Sequence, residues 1–279
     1  MRALELIKYG SKLLRENNIL SHTLDSEILL SKTLRKSREE ILVNLDQDIN
    51  EKNIFKFEKF IERRTKKEPI AYILEEKEFW SKKFIINKNI LIPRPETELL
   101  VDKLLKMFKE RKISILDVGT GSGCILLSLL SELKKSTGVG IDVSKEAILV
   151  AKINRLRFNL ENRAKFSKKS ITSFIDKKFD LVVSNPPYIE RNNIKNLSED
   201  VKRYEPRLAL DGGNDGLDLI KKVIYKSKKV LKIKGTLALE IGNEQIKKVS
   251  KTLFDNNFRI KHVVNDYKDN IRCVIAIYN

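Results

Sequence analysis

The stretch between residues 113 and 142 constrains the fold more than any other part of the chain. Ile113-Ser114-Ile115-Leu116-Asp117-Val118 is an apolar run of strand length. Gly119-Thr120-Gly121-Ser122-Gly123 is a glycine loop, and residues 124–133 are apolar over a helical length. Strand, glycine loop and helix in that order open a nucleotide-binding βαβ unit, because the glycines let the backbone turn tightly and let a ligand approach it closely. Gly138-Val139-Gly140-Ile141 supplies a second strand that ends in Asp142. An acid at that place, roughly twenty residues on, can hold both hydroxyls of a ribose. The spacing is Gly-x-Gly-x-Gly rather than Gly-x-Gly-x-x-Gly, which argues against a dinucleotide.

The second constraint is Ser184-Asn185-Pro186-Pro187-Tyr188, placed after the apolar run Phe179-Asp180-Leu181-Val182-Val183. It falls just past the carboxyl end of a buried strand, where open α/β sheets bind their ligands. The cluster suits an amide or amino nitrogen. The Asn185 side-chain oxygen and the Pro186 carbonyl can accept both N–H bonds of a planar NH2 group. Pro186 and Pro187 stiffen the backbone, since each ring fixes φ and restricts the residue before it. Tyr188 offers a flat face and a hydroxyl. Alone, the motif would pass for a Pro-rich turn; the glycine loop and the strand-end acid upstream favour chemistry.

Around this centre the chain reads as two domains. In residues 1–74, Leu4, Ile7, Leu13 and Leu14 share a helical face, Asp25 opens an apolar run, Ser37-Arg38-Glu39-Glu40 is a capping box, and Ile54, Phe57 and Ile61 mark a helix ending before Pro69. Four or five short helices in a bundle follow, with a partner-recognition role. Residues 75–92 read as strands joined by turns, a β-hairpin linker. Residues 93–279 form the α/β domain. Pro95-Glu96-Thr97-Glu98 starts a helix, with acids near its positive end. A third strand begins at Phe166 and ends near Ser170-Ile171, where Ile171 could border a base. The polar stretch from 189 to 216 reads as a long flap beside the site. Strands at 235–241, 258–264 and 271–278 close the sheet.

Composition narrows the setting. No apolar run reaches membrane-spanning length, and the N-terminus lacks a signal-peptide core. Cys124 and Cys273 have no redox or metal spacing, and His22 and His262 are the only histidines, so a reduced, cytoplasmic, metal-free protein is expected. The net charge of +18 invites a nucleic-acid partner. The excess is mostly Lys spread along the chain, without an Arg cluster or aromatic interleaving, and fits compositional drift better.

These motifs together resemble the bacterial peptide chain release factor glutamine methyltransferases. The resemblance is carried by Ile92-Pro93-Arg94-Pro95-Glu96-Thr97-Glu98, the loop from Asp117 to Gly123, Asn185-Pro186-Pro187-Tyr188-Ile189, Glu205-Pro206-Arg207 with Gly212-Gly213, and Leu239-Glu240-Ile241-Gly242. It implies a class I S-adenosylmethionine-dependent methyltransferase, a Rossmann-like seven-stranded sheet behind an N-terminal helical bundle. It implies methyl transfer to the side-chain amide nitrogen of Gln in the Gly-Gly-Gln motif of class I release factors, with S-adenosylhomocysteine as co-product; separately from the resemblance, a monomer is expected. Gly119, Thr120, Gly121, Ser122 and Gly123 would line the methionine part of the cofactor, Asp142 its ribose and Ile171 its adenine. Asn185 and Pro186 would be catalytic. Asn185, Pro186, Pro187 and Tyr188 would hold the glutamine, Asn185 also lying near the cofactor. The chain departs from the family pattern at Ser170, where an acid is expected, at Ile171, where an aromatic is common, and at Lys268, where a turn glycine is expected.

Two rivals stand beside this reading. An adenine-N6 DNA methyltransferase shares the Asn-Pro-Pro-Tyr motif and suits the charge, but the chain has no separate target-recognition domain or Arg-rich base-reading segment. A degraded glycine loop or a lost Asn would favour a non-catalytic RNA- or ribosome-binding module that has kept the fold, and both are intact.

Overall fold

The computed structural model describes residues 1–174 and 178–279 and divides into two compact units, Met1–Glu76 with Ser198–Tyr204, and Lys77–Leu197 with Glu205–Asn279.

The first unit contains α1 (Ala3–Glu16), α2 (His22–Leu34), α3 (Arg38–Val43), α4 (Glu51–Thr65) and α5 (Ile70–Leu74). Leu6, Leu14, Leu29, Leu30, Phe57 and Ile61 make its core. Close approach of α1 and α2 depends on Gly10: a Cβ there would stand 2.6 Å from Ser26 Oγ and 2.7 Å from the Phe57 ring. The capping box forms as the sequence implies, with Glu40 N donating to Ser37 Oγ at 3.1 Å and Ser37 N to Glu40 Oε2 at 2.6 Å. Asp25 is buried and accepts from Arg64 Nε at 2.7 Å, as a carboxylate removed from water must. The segment Ser198–Tyr204 clusters here, although it lies inside the polar stretch read as a flap of the α/β domain. It folds as a short helix, α9 (Glu199–Tyr204), whose Tyr204 hydroxyl donates to the Lys66 carbonyl at 2.7 Å. So short and polar a segment has no apolar stripe to reveal it.

The second unit begins with a two-stranded hairpin, β1 (Glu76–Phe79) and β2 (Lys82–Ile85). Residues 90–92, read as a further strand, are irregular. Phe79 and Phe84 are fully buried in the same core as the α/β elements, so the hairpin is packed rather than a free connector. Next come α6 (Pro95–Phe108), β3 (Ser114–Val118), α7 (Cys124–Glu132), β4 (Thr137–Asp142), α8 (Lys145–Arg157), β5 (Ala164–Lys168) and β6 (Phe179–Ser184). After α9 follow α10 (Asp218–Val230), β7 (Leu231–Glu240), α11 (Ile246–Phe254), β8 (Phe258–Asn265) and β9 (Ile271–Tyr278). β5 starts two residues before the expected Phe166 because Ala164 already pairs with Gly138. β7 runs back to Leu231, which pairs with Phe179 across a register shift.

The sheet has seven strands in the order β5-β4-β3-β6-β7-β9-β8. The first five are mutually parallel, and β9 is antiparallel to both β7 and β8. Strand residues alternate between two cores: Ile115, Leu181 and Val183 with α6, α7 and α8, and Leu116, Val182 and Leu239 with α10 and α11. That is the period-two pattern of a sheet covered on both faces. The strand order reverses between β3 and β6, and the loops after β3, β4, β6 and β7 all leave from one edge. In the β8–β9 turn, the left-handed residue is Asp269 at φ 59°, not Lys268, so the family glycine is not required by the backbone.

Asn154 ties three elements together. Its Oδ1 accepts from Ile85 N at 2.8 Å, and its Nδ2 donates to the carbonyls of Ile85 at 3.0 Å and Ser122 at 2.9 Å. It is fully buried. Asn154→Leu strands those three backbone groups without water or partner. At about 1–3 kcal/mol for each buried unsatisfied group, a loss of at least about 3 kcal/mol is expected in a denaturant or thermal melt; a melt unchanged within about 1 kcal/mol would show that the tie is dispensable.

Candidate active site

The glycine loop after β3 is shaped by positive φ angles: Gly119 at 71°, Gly121 at 54° and Gly123 at 82°. A Cβ on Gly119 or Gly121 would meet nothing within 4 Å, whereas one on Gly123 would press on Leu127 at 3.0 Å and Phe166 at 3.1 Å. The first two glycines therefore leave room for a ligand, and the third closes the loop onto its own core.

That room is a cavity of about 600 Å³ at the carboxyl edge of the sheet. Of the site residues read from sequence, Gly119, Gly121, Asp142, Ile171, Asn185 and Pro187 line it. Thr120, Ser122, Gly123, Pro186 and Tyr188 do not form its wall. Thr120 and Ser122 are buried beneath the loop. Thr120 Oγ1 donates to Asp117 Oδ2 at 2.6 Å, and the Ser122 carbonyl accepts from Asn154. The Tyr188 hydroxyl is turned away, donating to Glu240 Oε1 at 3.3 Å.

Asp142 holds the loop from the end of β4. Its Oδ2 accepts from Gly121 N at 3.0 Å and its Oδ1 from Ser144 N at 2.9 Å. Each oxygen keeps a lone pair for a hydroxyl in the cavity. Burial raises its pKa, against which these backbone bonds act. Asp117 is deeper still; burial pushes its carboxyl up to about 7, and its Oδ1 is buried without a hydrogen-bond partner. Glycines open to the cavity, a strand-end acid and the apolar Ile171 wall together fit S-adenosylmethionine.

Opposite, Asn185 follows β6, whose Ser184 pairs with Val118 just before the glycine loop. Asn185 Nδ2 donates to Thr97 Oγ1 at 3.2 Å, and Thr97 Oγ1 donates to Glu240 Oε2 at 2.6 Å. Among the described residues, no donor reaches Asn185 Oδ1 or the Pro186 carbonyl. Burial pushes Glu240 up to about 7, with Thr97, Tyr188 and the nearby Arg272 acting against it. Burial and the neighbouring Glu240 also raise the pKa of Tyr188.

Two motifs that are far apart in sequence meet here. Arg94 donates to Glu205, and Ile92 N donates to the other oxygen of the same buried carboxylate at 3.2 Å. This fixes the loop carrying Pro206, Leu208 and Ala209 along one cavity wall. The Gly212-Gly213 turn packs under the Pro-Pro loop: Gly212 N donates to the Ile189 carbonyl at 2.8 Å, and a Cβ on Gly212 would lie 2.9 Å from the Pro187 carbonyl. Gln245 Nε2 donates to the Tyr188 carbonyl at 2.9 Å. Thr97, Gln245 and the Arg94–Glu205 pair escaped the residue-by-residue reading. The signal for all but Gln245 was the pair of motifs that contain them.

Comparison with known proteins agrees with this architecture. Residues 5–74 match the model of the PrmC N-terminal domain, and residues 109–274 match that of a methyltransferase domain. A release factor glutamine methyltransferase of Clostridium acetobutylicum is 41% identical over 276 residues, covering 98% of this chain and 96% of its own. One from Fusobacterium nucleatum is 37% identical over 277 residues, covering 98% of this chain and 78% of its own. The chain belongs to the release factor glutamine methyltransferase family. It is an S-adenosylmethionine-dependent methyltransferase. Solved structures agree on the fold: the ribosomal protein L11 methylase of Lactobacillus delbrueckii subsp. bulgaricus superposes with a TM-score of 0.51 at 18% identity, over 73% of this chain and 90% of that one. The hMettl16 catalytic domain gives 0.58 at 17% identity, over 70% and 75%. Among the described residues, no helix is long and apolar enough to cross a membrane.

Asp142→Ala removes the acceptor for both Gly121 N and any ribose hydroxyl. Affinity for S-adenosylhomocysteine is expected to fall by about 1–3 kcal/mol in calorimetry. Unchanged affinity would take Asp142 out of the binding site.

Proposed function

We propose that this protein methylates the side-chain amide nitrogen of the Gln in the Gly-Gly-Gln motif of class I peptide chain release factors. The observation that carries this reading is the pair of acceptors, Asn185 Oδ1 and the Pro186 carbonyl, beside a cavity suited to the cofactor. The relatives named release factor glutamine methyltransferase support the substrate class.

Residues 119–123, Asp142 and Ile171 would hold S-adenosylmethionine, with Asn185 close by. When bound, it supplies a methyl group already activated on a sulfonium. An amide nitrogen is a poor nucleophile because its lone pair is delocalised into the carbonyl, so placement matters more than a strong base. Asn185 and Pro186 accept both N–H bonds and hold the nitrogen in one plane and direction. Alignment of this kind can contribute about 7–11 kcal/mol. The same two oxygens stabilise positive charge that grows on the nitrogen. The amide proton then passes to water. Pro187 stiffens the loop and Tyr188 flanks the glutamine. The helical unit at residues 1–74 docks the release factor, the hairpin at residues 75–92 joins it to the methyltransferase domain at residues 93–279, and the protein acts as a monomer.

Labelled S-adenosylmethionine, offered with a release factor or with DNA, tests this directly. Label is expected on one glutamine of the release factor and none on DNA; label on adenine would overturn the proposal. Asn185→Ala is expected to fold normally and lose about 10²–10³-fold in single-turnover rate, the usual worth of one transition-state acceptor at about 3–4 kcal/mol. A stable Asn185→Ala protein with wild-type turnover would remove Asn185 from the mechanism.

A further inference from the structure

Asn185 is useful as an acceptor only if its amide is turned the right way. The two ends of an amide are nearly equal in size, so shape alone does not choose between them. Flipped by half a turn, Asn185 would present NH2 to a substrate NH2, donor against donor. Something must set the direction, and the side chains behind Asn185 form a chain with a single sense.

The chain starts at Glu240, which ends β7 and is 1% exposed. Its carboxylate can only accept. Thr97, buried in the first turn of α6, gives its one hydroxyl proton to Glu240 Oε2 at 2.6 Å. What Thr97 Oγ1 then offers Asn185 is lone pairs alone. At 3.2 Å those lone pairs suit Asn185 Nδ2 and repel Oδ1. The amide is thereby fixed with NH2 inward and Oδ1 outward. The other carboxylate oxygen, Oε1, faces the Tyr188 hydroxyl at 3.3 Å. The ionised carboxylate, or an acid protonated on Oε1, leaves Oε2 an acceptor and keeps this sense, whereas a proton on Oε2 would reverse it.

We infer that Thr97 and Glu240 are positioning residues for methyl transfer: they set the polarity of the Asn185 amide through the Thr97 hydroxyl. The inference rests on the acceptor role proposed for Asn185. It also accounts for a polar residue in the first turn of α6 being buried instead of exposed. It gives a reason for an acid at the end of β7, a strand that contributes nothing to the cavity wall.

The chain can be run backwards, and that is its sharpest test. In Asn185→Asp, an oxygen replaces Nδ2, and the single Thr97 proton cannot serve both the introduced carboxylate and Glu240. When Asn185→Asp is combined with Glu240→Gln, the new amide NH2 at position 240 donates to Thr97. Thr97 then donates to the carboxylate at position 185, and the amide oxygen at position 240 accepts from Tyr188. Single-turnover methylation of a release factor is measured for Thr97→Val, Thr97→Ser, Asn185→Ala, Asn185→Asp, Glu240→Gln and the double variant. Cofactor affinity is measured by calorimetry, with melts alongside. Thr97→Val is expected to slow the reaction by about 10²-fold with the KM for the release factor and cofactor affinity little changed, and Thr97→Ser to restore most of the rate. Glu240→Gln is expected to speed Asn185→Asp by about tenfold or more and to give the Asn185 enzyme no such gain, a dependence on background that loss of stability alone does not produce.

If Asn185→Ala is inactive while Thr97→Val reacts at the wild-type rate, the polarity chain is wrong and the acceptor role stands. If Asn185→Ala itself reacts at the wild-type rate, the acceptor role falls and the chain with it. Should Thr97→Val fail to fold, the Asn185→Asp pair decides: no gain from Glu240→Gln in that background overturns the inference.

Discussion

Parallel strands cannot turn straight back on themselves, and most of the organisation of the second unit follows from that. Each parallel neighbour must be reached by a crossover, and the crossovers between β3 and β7 are largely helical. The helices cover both faces of the sheet, so strand residues must be apolar on both sides, as Ile115 and Leu116 or Leu181 and Val182 are. Polar chemistry is left only the strand ends. Asp117 near the end of β3, Asp142 at the end of β4, Asn185 after β6 and Glu240 at the end of β7 are therefore neighbours by topology, although they are spread over more than a hundred residues of chain.

The acids at this edge are the costly part of the design, and each is held differently. Glu205 is paired with Arg94 and a backbone N–H. Glu240 has two hydroxyls, and Asp142 has two backbone donors. Asp117 has the Thr120 hydroxyl on one oxygen, while the other is orphaned. A buried carboxylate that lacks a partner is strongly destabilising, so these pairings limit which side chains can stand nearby. They join remote motifs for the same reason: the Arg94 stretch and the Glu205 stretch are two halves of one neutralised pair.

Much of this was legible in the sequence. The strand, glycine loop and helix, the strand-end Asp142 and the Asn-Pro-Pro-Tyr loop carry local signals, namely apolar runs of fixed length punctuated by Gly and Pro, and the structure forms them within a residue or two. The Ser37–Glu40 capping box was legible for the same reason. What escaped was tertiary. Nothing near Thr97 says that its hydroxyl lies against residue 240, and nothing in Glu199–Tyr204 says that a polar segment will pack with the N-terminal helices. Gly123 illustrates the middle ground. The glycine motif was visible, but only the neighbouring Leu127 and Phe166 tell that this glycine is required by packing and the other two by open space.

Charge shows why a global property misleads about a local site. The chain carries 56 Lys and Arg against 38 Asp and Glu, yet the charged side chains that line the cavity are of both signs: Lys169, Arg191 and Lys222 stand with Asp142, Glu146, Asp211 and Asp218. Exposed lysines are screened over about 8–10 Å of salt solution, while buried carboxyls in a poorly polarisable surround are not. A cationic ligand entering the cavity therefore meets Asp142 at the strand end within a lining of both signs. Asp142 adds to what burial already costs Asp117 on ionising. A positive charge placed beside Asp142 lowers that cost for both. The cost of ionising these two acids is thus set at folding, in carboxyls held where water cannot fully solvate them.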